Sequence, residues 1–395
     1  LERPSRTQLA AIAAALYFSE GLPYGIVKEF VPMALRFRGV DLTSIGLLNT
    51  VGIAWTLKFL WSPLVDELGM YRRWIAGAVV GIAIALIGMS VSLIPSTFFY
   101  TFVAMLALAS ATQDIAVDAF TIRATPEQLL GPINSVRVTA YRIALTSPGI
   151  LALVAQRLGW DMAFRIAAGV AIAIFALALT LPDDRGTVRK ERPNFIAALK
   201  HWLLRPQAGL LLALAFTFRL CEFAIVPMIK PYWVDRGYTP AEIGTITSIV
   251  GVIVSIAAAI IGGFIVARLG IIPSLLWLGA AQCLSNIGYA LVATFNAGRW
   301  AIYAAAIGEN IGYGLGTAAF LAFLMSICDR DRAATEYALL SAAFGLTGTI
   351  MASASGWLAK HGGYPFYFWL TVLLGIPPLF LVPLIRRHET SDLHA

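Results

Sequence analysis

Uninterrupted apolar runs recur along almost the whole chain, each long enough at about 20 helical residues to cross a hydrocarbon layer. No other feature constrains the fold as much. Inside a bilayer every backbone N–H and C=O must be satisfied, which leaves helices or a closed barrel. The runs are continuous rather than alternating, so they predict helices. Of the 395 residues, 59% are hydrophobic and 13% charged, where a domain in water carries about 25% charged residues. A water-soluble enzyme is excluded, and the expected class is all-α integral membrane, with the lipid bilayer as a partner.

Charged and Pro/Gly interruptions divide the runs into twelve predicted spans, near 8–35, 42–65, 74–94, 97–122, 131–157 and 162–181, then 208–234, 240–267, 272–295, 299–327, 333–359 and 364–385. Between the sixth and seventh lies the one long polar and basic segment, 182–207, read as a linker between an N-terminal six-helix bundle, 1–181, and a C-terminal one, 208–395. The net charge of +7 reports topology, with no nucleic-acid partner implied. Alternate connections carry roughly twice as many Lys and Arg as the others. The richer side holds Arg72, Arg73, Arg123, Arg268 and the linker, so both termini and the linker are expected in the cytoplasm. Arg3 and Arg6 precede a first apolar helix without a cleavage site, expected to be retained as a span.

The halves resemble one another. "VPMALRFRGVDLTSIGLL" from Val31 matches "VPMIKPYWVDRGYTPAEIGTI" from Val226, and "VDAF" ending at Phe120 lies about 200 residues before "TAAF" ending at Phe320. Two duplicated bundles that rock about a site are a transporter signature.

Charges inside the spans cost several kcal/mol unless paired or hydrated, so they face the bundle interior or a cavity. "ATQDIAVDAF" sets Asp114 and Asp118 four positions apart, on one helix face. At 1.5 Å rise per residue, Asp118 and Arg137 lie about 7 and 9 Å from the cytoplasmic ends of their spans, and Lys58, Asp114 and Arg142 at about 12, 13 and 16 Å. The depths pair Asp118 with Arg137, and Asp114 with Lys58 or Arg142. Asp118 and Arg137 read as structure or gate. Glu20, ahead of the helix-weakening Gly21 and Pro23, and Asp114, beside Gln113, are candidates for proton coupling, as are Glu222 and Glu309 in the second half. A structural role for each stands beside that reading. Arg219 and Glu222, three apart, are also placed to pair with each other. Lys58, Gln113, Tyr141, Arg142, Arg219 and Asn310 are the substrate-binding candidates. The glycines of "GENIGYGLG" are too scattered for a nucleotide loop and fit close helix packing. Cys221, Cys283 and Cys328 show no metal-ligand spacing, and the four histidines fall in loops or the tail, so neither metal nor cofactor is expected.

After span two, "WSPLVDELGMYRRW" resembles the loop motif of the major facilitator superfamily, with Ser62 and Pro63 in place of the usual glycine. The resemblance implies that Asp66, Arg72 and Arg73, joined by Arg123, form a cytoplasmic gate. "FSEGLPYGI", "KFLWSPLVD" and "QDIAVDA" resemble the branch holding AmpG-type muropeptide permeases, acetyl-CoA transporters and related siderophore importers. That resemblance implies proton-coupled import of a bulky anionic solute such as a muropeptide, with siderophores and acetyl-CoA or another CoA ester as alternatives. It also implies a monomer in a bacterial inner membrane, with a small-molecule substrate and protons as partners. An intramembrane aspartate-based enzyme, built on Asp114 and Asp118, is the reading from another class.

Overall fold

The computed structural model describes residues 6–68, 70–125, 129–181, 204, 208–327 and 333–392. The linker expected at 182–207 falls outside them, apart from Leu204, and so does Cys328. Among the described residues there is no strand, and nine helical segments are long and apolar enough to cross a membrane. In chain order the helices are α1 Arg6–Phe37, α2 Leu42–Leu57, α3 Ser62–Leu68, α4 Tyr71–Val91, α5 Thr97–Ala124, α6 Leu130–Ala144, α7 Ser147–Leu158 and α8 Trp160–Thr180. There follow α9 Ala208–Thr217, α10 Leu220–Asp235, α11 Pro240–Leu269, α12 Ile271–Thr294, α13 Arg299–Ser326, α14 Ala333–Leu374 and α15 Ile376–Asp392.

Local sequence explains where these helices begin and bend. Asp41 caps α2 by accepting the N–H groups of Thr43 and Ser44. Thr239 and Glu242 close a capping box on α11, where Pro240 takes a position that needs no donor. Gly363, at φ 76°, splits α14 into two helices. The weakening expected at Gly21 and Pro23 takes the form of a π-turn over Ile26–Phe30, and α1 is otherwise continuous. Gly21 itself serves packing, because a Cβ there would lie 2.7 Å from that of Ala144 on α6.

The chain divides into two compact units. Unit one takes 1–40, 51–191 and 233–249, and unit two takes 41–50, 192–232 and 250–395. Within unit one, α4 packs on α5 and α8, and α1 on α5 and α6. Residues 233–249 join it through a bidentate pair, with Arg36 Nε and Nη2 each 2.5 Å from Asp235, and through Gln156, which accepts the Ala241 N–H at 2.8 Å. Within unit two, α13 packs on α11 and α12 around Phe218, Leu275, Phe320 and Phe323. Residues 41–50 lie on α14, where Gly46 meets Gly356 and Lys360 Nζ reaches Asp41 at 3.1 Å. Lipid gives apolar helices no hydrophobic reason to associate, so close backbone approach at small residues and polar contacts supply the cohesion. Other large apolar side chains turn outward, Phe264 being 68% and Trp277 65% exposed, as a bilayer-facing surface requires.

Candidate functional site

In unit one α1, α5, α6 and the short 3₁₀ turn Lys58–Leu60 converge on a polar cluster. Asp114 Oδ2 meets Lys58 Nζ at 3.5 Å, and Asp118 Oδ1 meets Arg137 Nη2 at 2.9 Å. Both are pairings that the helix rise had offered, with Lys58 rather than Arg142 on Asp114. Tyr17 donates its hydroxyl to the same Asp118 oxygen at 2.7 Å, and the Arg137 guanidinium lies 4.6 Å over the Tyr17 ring. Beside Glu20, Ser19 accepts from Gln113 Nε2 at 2.5 Å, tying α1 to α5. Glu20 itself is buried, within hydrogen-bonding reach of Asp114.

Next to these charges lies an aromatic surface. Tyr24 meets Trp55 edge to face at 5.2 Å between ring centres and tilts against Tyr141 at 6.4 Å, and all three rings are partly exposed. Lys58 follows Trp55 by three residues, and Arg142 follows Tyr141 directly. Among the described residues Arg142 makes no ion pair.

Unit two has its own buried cluster. Glu222 Oε2 accepts from Gln282 Nε2 at 3.3 Å, and its carboxyl is within hydrogen-bonding reach of Glu309. Asn310 donates to Glu309 at 3.0 Å and to the Ala306 carbonyl at 2.9 Å, in a space kept open by Gly251. Among the described residues no ion pair joins Arg219 to Glu222. Arg219 stands in the turn between α9 and α10, outside the helical geometry that would bring i and i+3 together, and its guanidinium lies 4.8 Å over the Tyr313 ring. Lys58 and Arg219 thus both occur where a span departs from α-helix. The glycines near Glu309 and Asn310 are packing positions: Gly314 abuts the Ser255 carbonyl, and Gly316 the side chain of Gln282.

Arg72 donates to the Leu179 carbonyl and Arg73 is exposed. The side chains of Asp66 and Arg123 lie outside the described ones. Sequence reasoning missed Tyr17, and Gln282 with Asn286. The last two were legible as amides one turn apart in an apolar span. Also unread were the pairs Arg36–Asp235 and Asp41–Lys360.

Buried charges held inside helical units, next to partly open aromatic rings, are the parts of a secondary transporter. Residues 9–337 match the Major Facilitator Superfamily, and the chain belongs to that family. Among its relatives, the anhydromuropeptide permease of Escherichia coli (strain K12) is 28% identical over 392 residues, covering 96% of this chain and 80% of that protein. Its fold is that of a bacterial homologue to the human lysosomal transporter Spinster, solved inward-facing and unoccupied, with a TM-score of 0.80 at 13% identity and 99% of both chains covered. A D-xylose–proton symporter gives 0.76 at 12% identity, over 94% of this chain and 96% of that one. The protein is a multi-pass membrane transporter and not an enzyme.

Proposed function

We propose that the chain imports a peptidoglycan-derived muropeptide by alternating access, coupled to protons. The identity with the anhydromuropeptide permease, spread over 96% of the chain, carries this reading. Unit one supports it chemically. A muropeptide joins amino-sugar rings to carboxylates and a peptide. The faces of Tyr24, Trp55 and Tyr141 suit the rings, and Lys58 and Arg142 suit the carboxylates. Gln113, Arg219 and Asn310 complete the substrate-binding candidates. Glu20, Asp114, Glu222 and Glu309 are the groups we assign to proton coupling. Asp66, Arg72, Arg73 and Arg123 form the gate on the linker side. The same proposal takes twelve spans in two six-helix halves, 1–181 and 208–395, about a cytoplasmic linker at 182–207. Both termini are cytoplasmic and the protein works as a monomer in a bacterial inner membrane.

Calorimetric titration of the purified protein with an anhydromuropeptide tests the cargo. We expect Tyr141→Ala and Arg142→Met each to weaken binding about tenfold. Unchanged affinity in both variants, or tighter binding of a siderophore or acetyl-CoA, would overturn the assignment.

A further inference from the structure

Among the described residues two buried carboxylate oxygens lack donors, and they occur in matching surroundings. Asp114 is 8% exposed, and while its Oδ2 takes Lys58, its Oδ1 is sealed from solvent and receives no hydrogen bond from a described residue. The group within reach is the Glu20 carboxyl, itself 6% exposed. Two ionised carboxylates at that separation repel strongly where water is excluded, and neither offers a donor to the other. A proton on one of them reverses both terms: Glu20 then donates to Asp114 Oδ1 in a charge-assisted hydrogen bond.

Unit two repeats the arrangement. Glu222 is 3% exposed, and while its Oε2 takes Gln282, its Oε1 receives no hydrogen bond from a described residue and Glu309 lies within reach. The second pair occupies the helices that the internal repeat makes equivalent to those of the first, α10 for α1 and α13 for α5. Aligned through Pro32 with Pro227 and Phe120 with Phe320, Glu222 falls about two turns beyond Glu20, and Glu309 about one and a half turns before Asp114. These passes run antiparallel, so both displacements point the same way across the membrane and the carboxyls of the second pair stay level with each other.

We propose that each unit stores one proton in a carboxyl pair, Glu20 with Asp114 and Glu222 with Glu309, before any solute binds. The charged and titratable groups facing the first pair are Tyr17, Lys58, Asp118 and Arg137, and Arg219 and Cys221 face the second. A further proton taken up by the first pair neutralises Asp114 and frees Lys58 for an anionic solute. Its release restores the Lys58–Asp114 contact. That use in transport rests on the proton-coupled reading above, whereas the stored protons do not depend on it.

Infrared spectroscopy of the full-length protein in lipid, without solute or gradient, tests the proposal. The wild type is expected to show deuterium-sensitive protonated-carboxyl absorption near neutral pH. Glu20→Gln and Glu309→Gln keep a side-chain donor for the sealed oxygens of Asp114 and Glu222, and each is expected to remove roughly half of the band, the double variant nearly all of it. Should either fail to fold, Asp114→Asn or Glu222→Gln probes the same proton from the other carboxyl. Folded variants with the wild-type band intact, or a wild type without the band, would overturn the stored protons, even if uptake proves gradient-driven. The bands present in a protein whose uptake ignores a pH gradient would instead sink the coupling.

Discussion

Tyr17→Phe isolates one hydrogen bond at the centre of the unit-one cluster. Tyr17 is 1% exposed and its hydroxyl lies 2.7 Å from Asp118 Oδ1, while its ring supports the Arg137 guanidinium from 4.6 Å. The substitution removes the hydroxyl and keeps the ring. A hydrogen bond to a charged group contributes about 1.5–3 kcal/mol. The Asp118 side chain is 31% exposed and keeps Arg137, so water relieves part of the loss and the lower figure applies. About 1.5 kcal/mol corresponds to roughly a tenfold fall in the ratio of folded to unfolded protein, measurable by equilibrium unfolding in mixed detergent micelles. Tyr17→Ala also deletes the buried ring and is expected to cost roughly 3 kcal/mol more. In a double-mutant cycle with Asp118→Asn, Tyr17→Phe is expected to show a coupling of about 1 kcal/mol. A Tyr17→Phe protein as stable as wild type, or strict additivity in the cycle, would refute the reasoning.

The Ser44 hydroxyl, at 2.5 Å, and then Lys360 hold Asp41 well below its ordinary 3.8, at about 2. A carboxyl depressed in the folded state stabilises above its unfolded value, and the benefit fades as pH falls through the folded one. The stability gap between wild type and Asp41→Asn, followed by thermal unfolding, is therefore expected to hold from pH 7 to about 5 and to close only below about 4. A gap that closes near neutral pH would contradict this. A Cβ at Gly356 would lie 1.8 Å from the Leu42 carbonyl, which is backbone and cannot yield, so Gly356→Ala is expected to cost at least about 1–3 kcal/mol. At Gly316 the obstacle is the end of the Gln282 side chain, so Gly316→Ala is expected to cost less, and the reverse order in an unfolding assay would argue against these helix crossings. Exchanging the charges, Lys58→Asp with Asp114→Lys, is expected to restore the folded yield lost by either single substitution, and no recovery would argue that the pair is not energetically coupled.

How far the structure was legible depended on the kind of physics each residue obeys. The helical class was readable because backbone satisfaction in lipid leaves helices as the only continuous solution, and run length then places the nine spans found among the described residues. Depth arithmetic reached Asp118 with Arg137 and narrowed the partner of Asp114 to Lys58 or Arg142, since regular rise converts residue number into height. The i, i+3 spacing misled at Arg219, which stands in the turn at 218–219 and lays its guanidinium over the Tyr313 ring. Tyr17 went unread because an aromatic ring in a span serves lipid, core or hydrogen bond alike, and only its neighbours decide. Gly21 was read as a weak point in α1 and is a contact point with α6, a distinction that needs the partner helix. The pairs Arg36–Asp235 and Asp41–Lys360 join residues 199 and 319 positions apart, beyond the reach of any local pattern.

The most direct test is uptake of a labelled anhydromuropeptide into proteoliposomes, with and without an imposed pH gradient. Accumulation above the external concentration when the gradient is present, lost when it is collapsed and lost in Glu20→Gln, is the predicted result. Equal uptake with and without the gradient, or none by a folded, monodisperse protein, would contradict the proton-coupled muropeptide import proposed here.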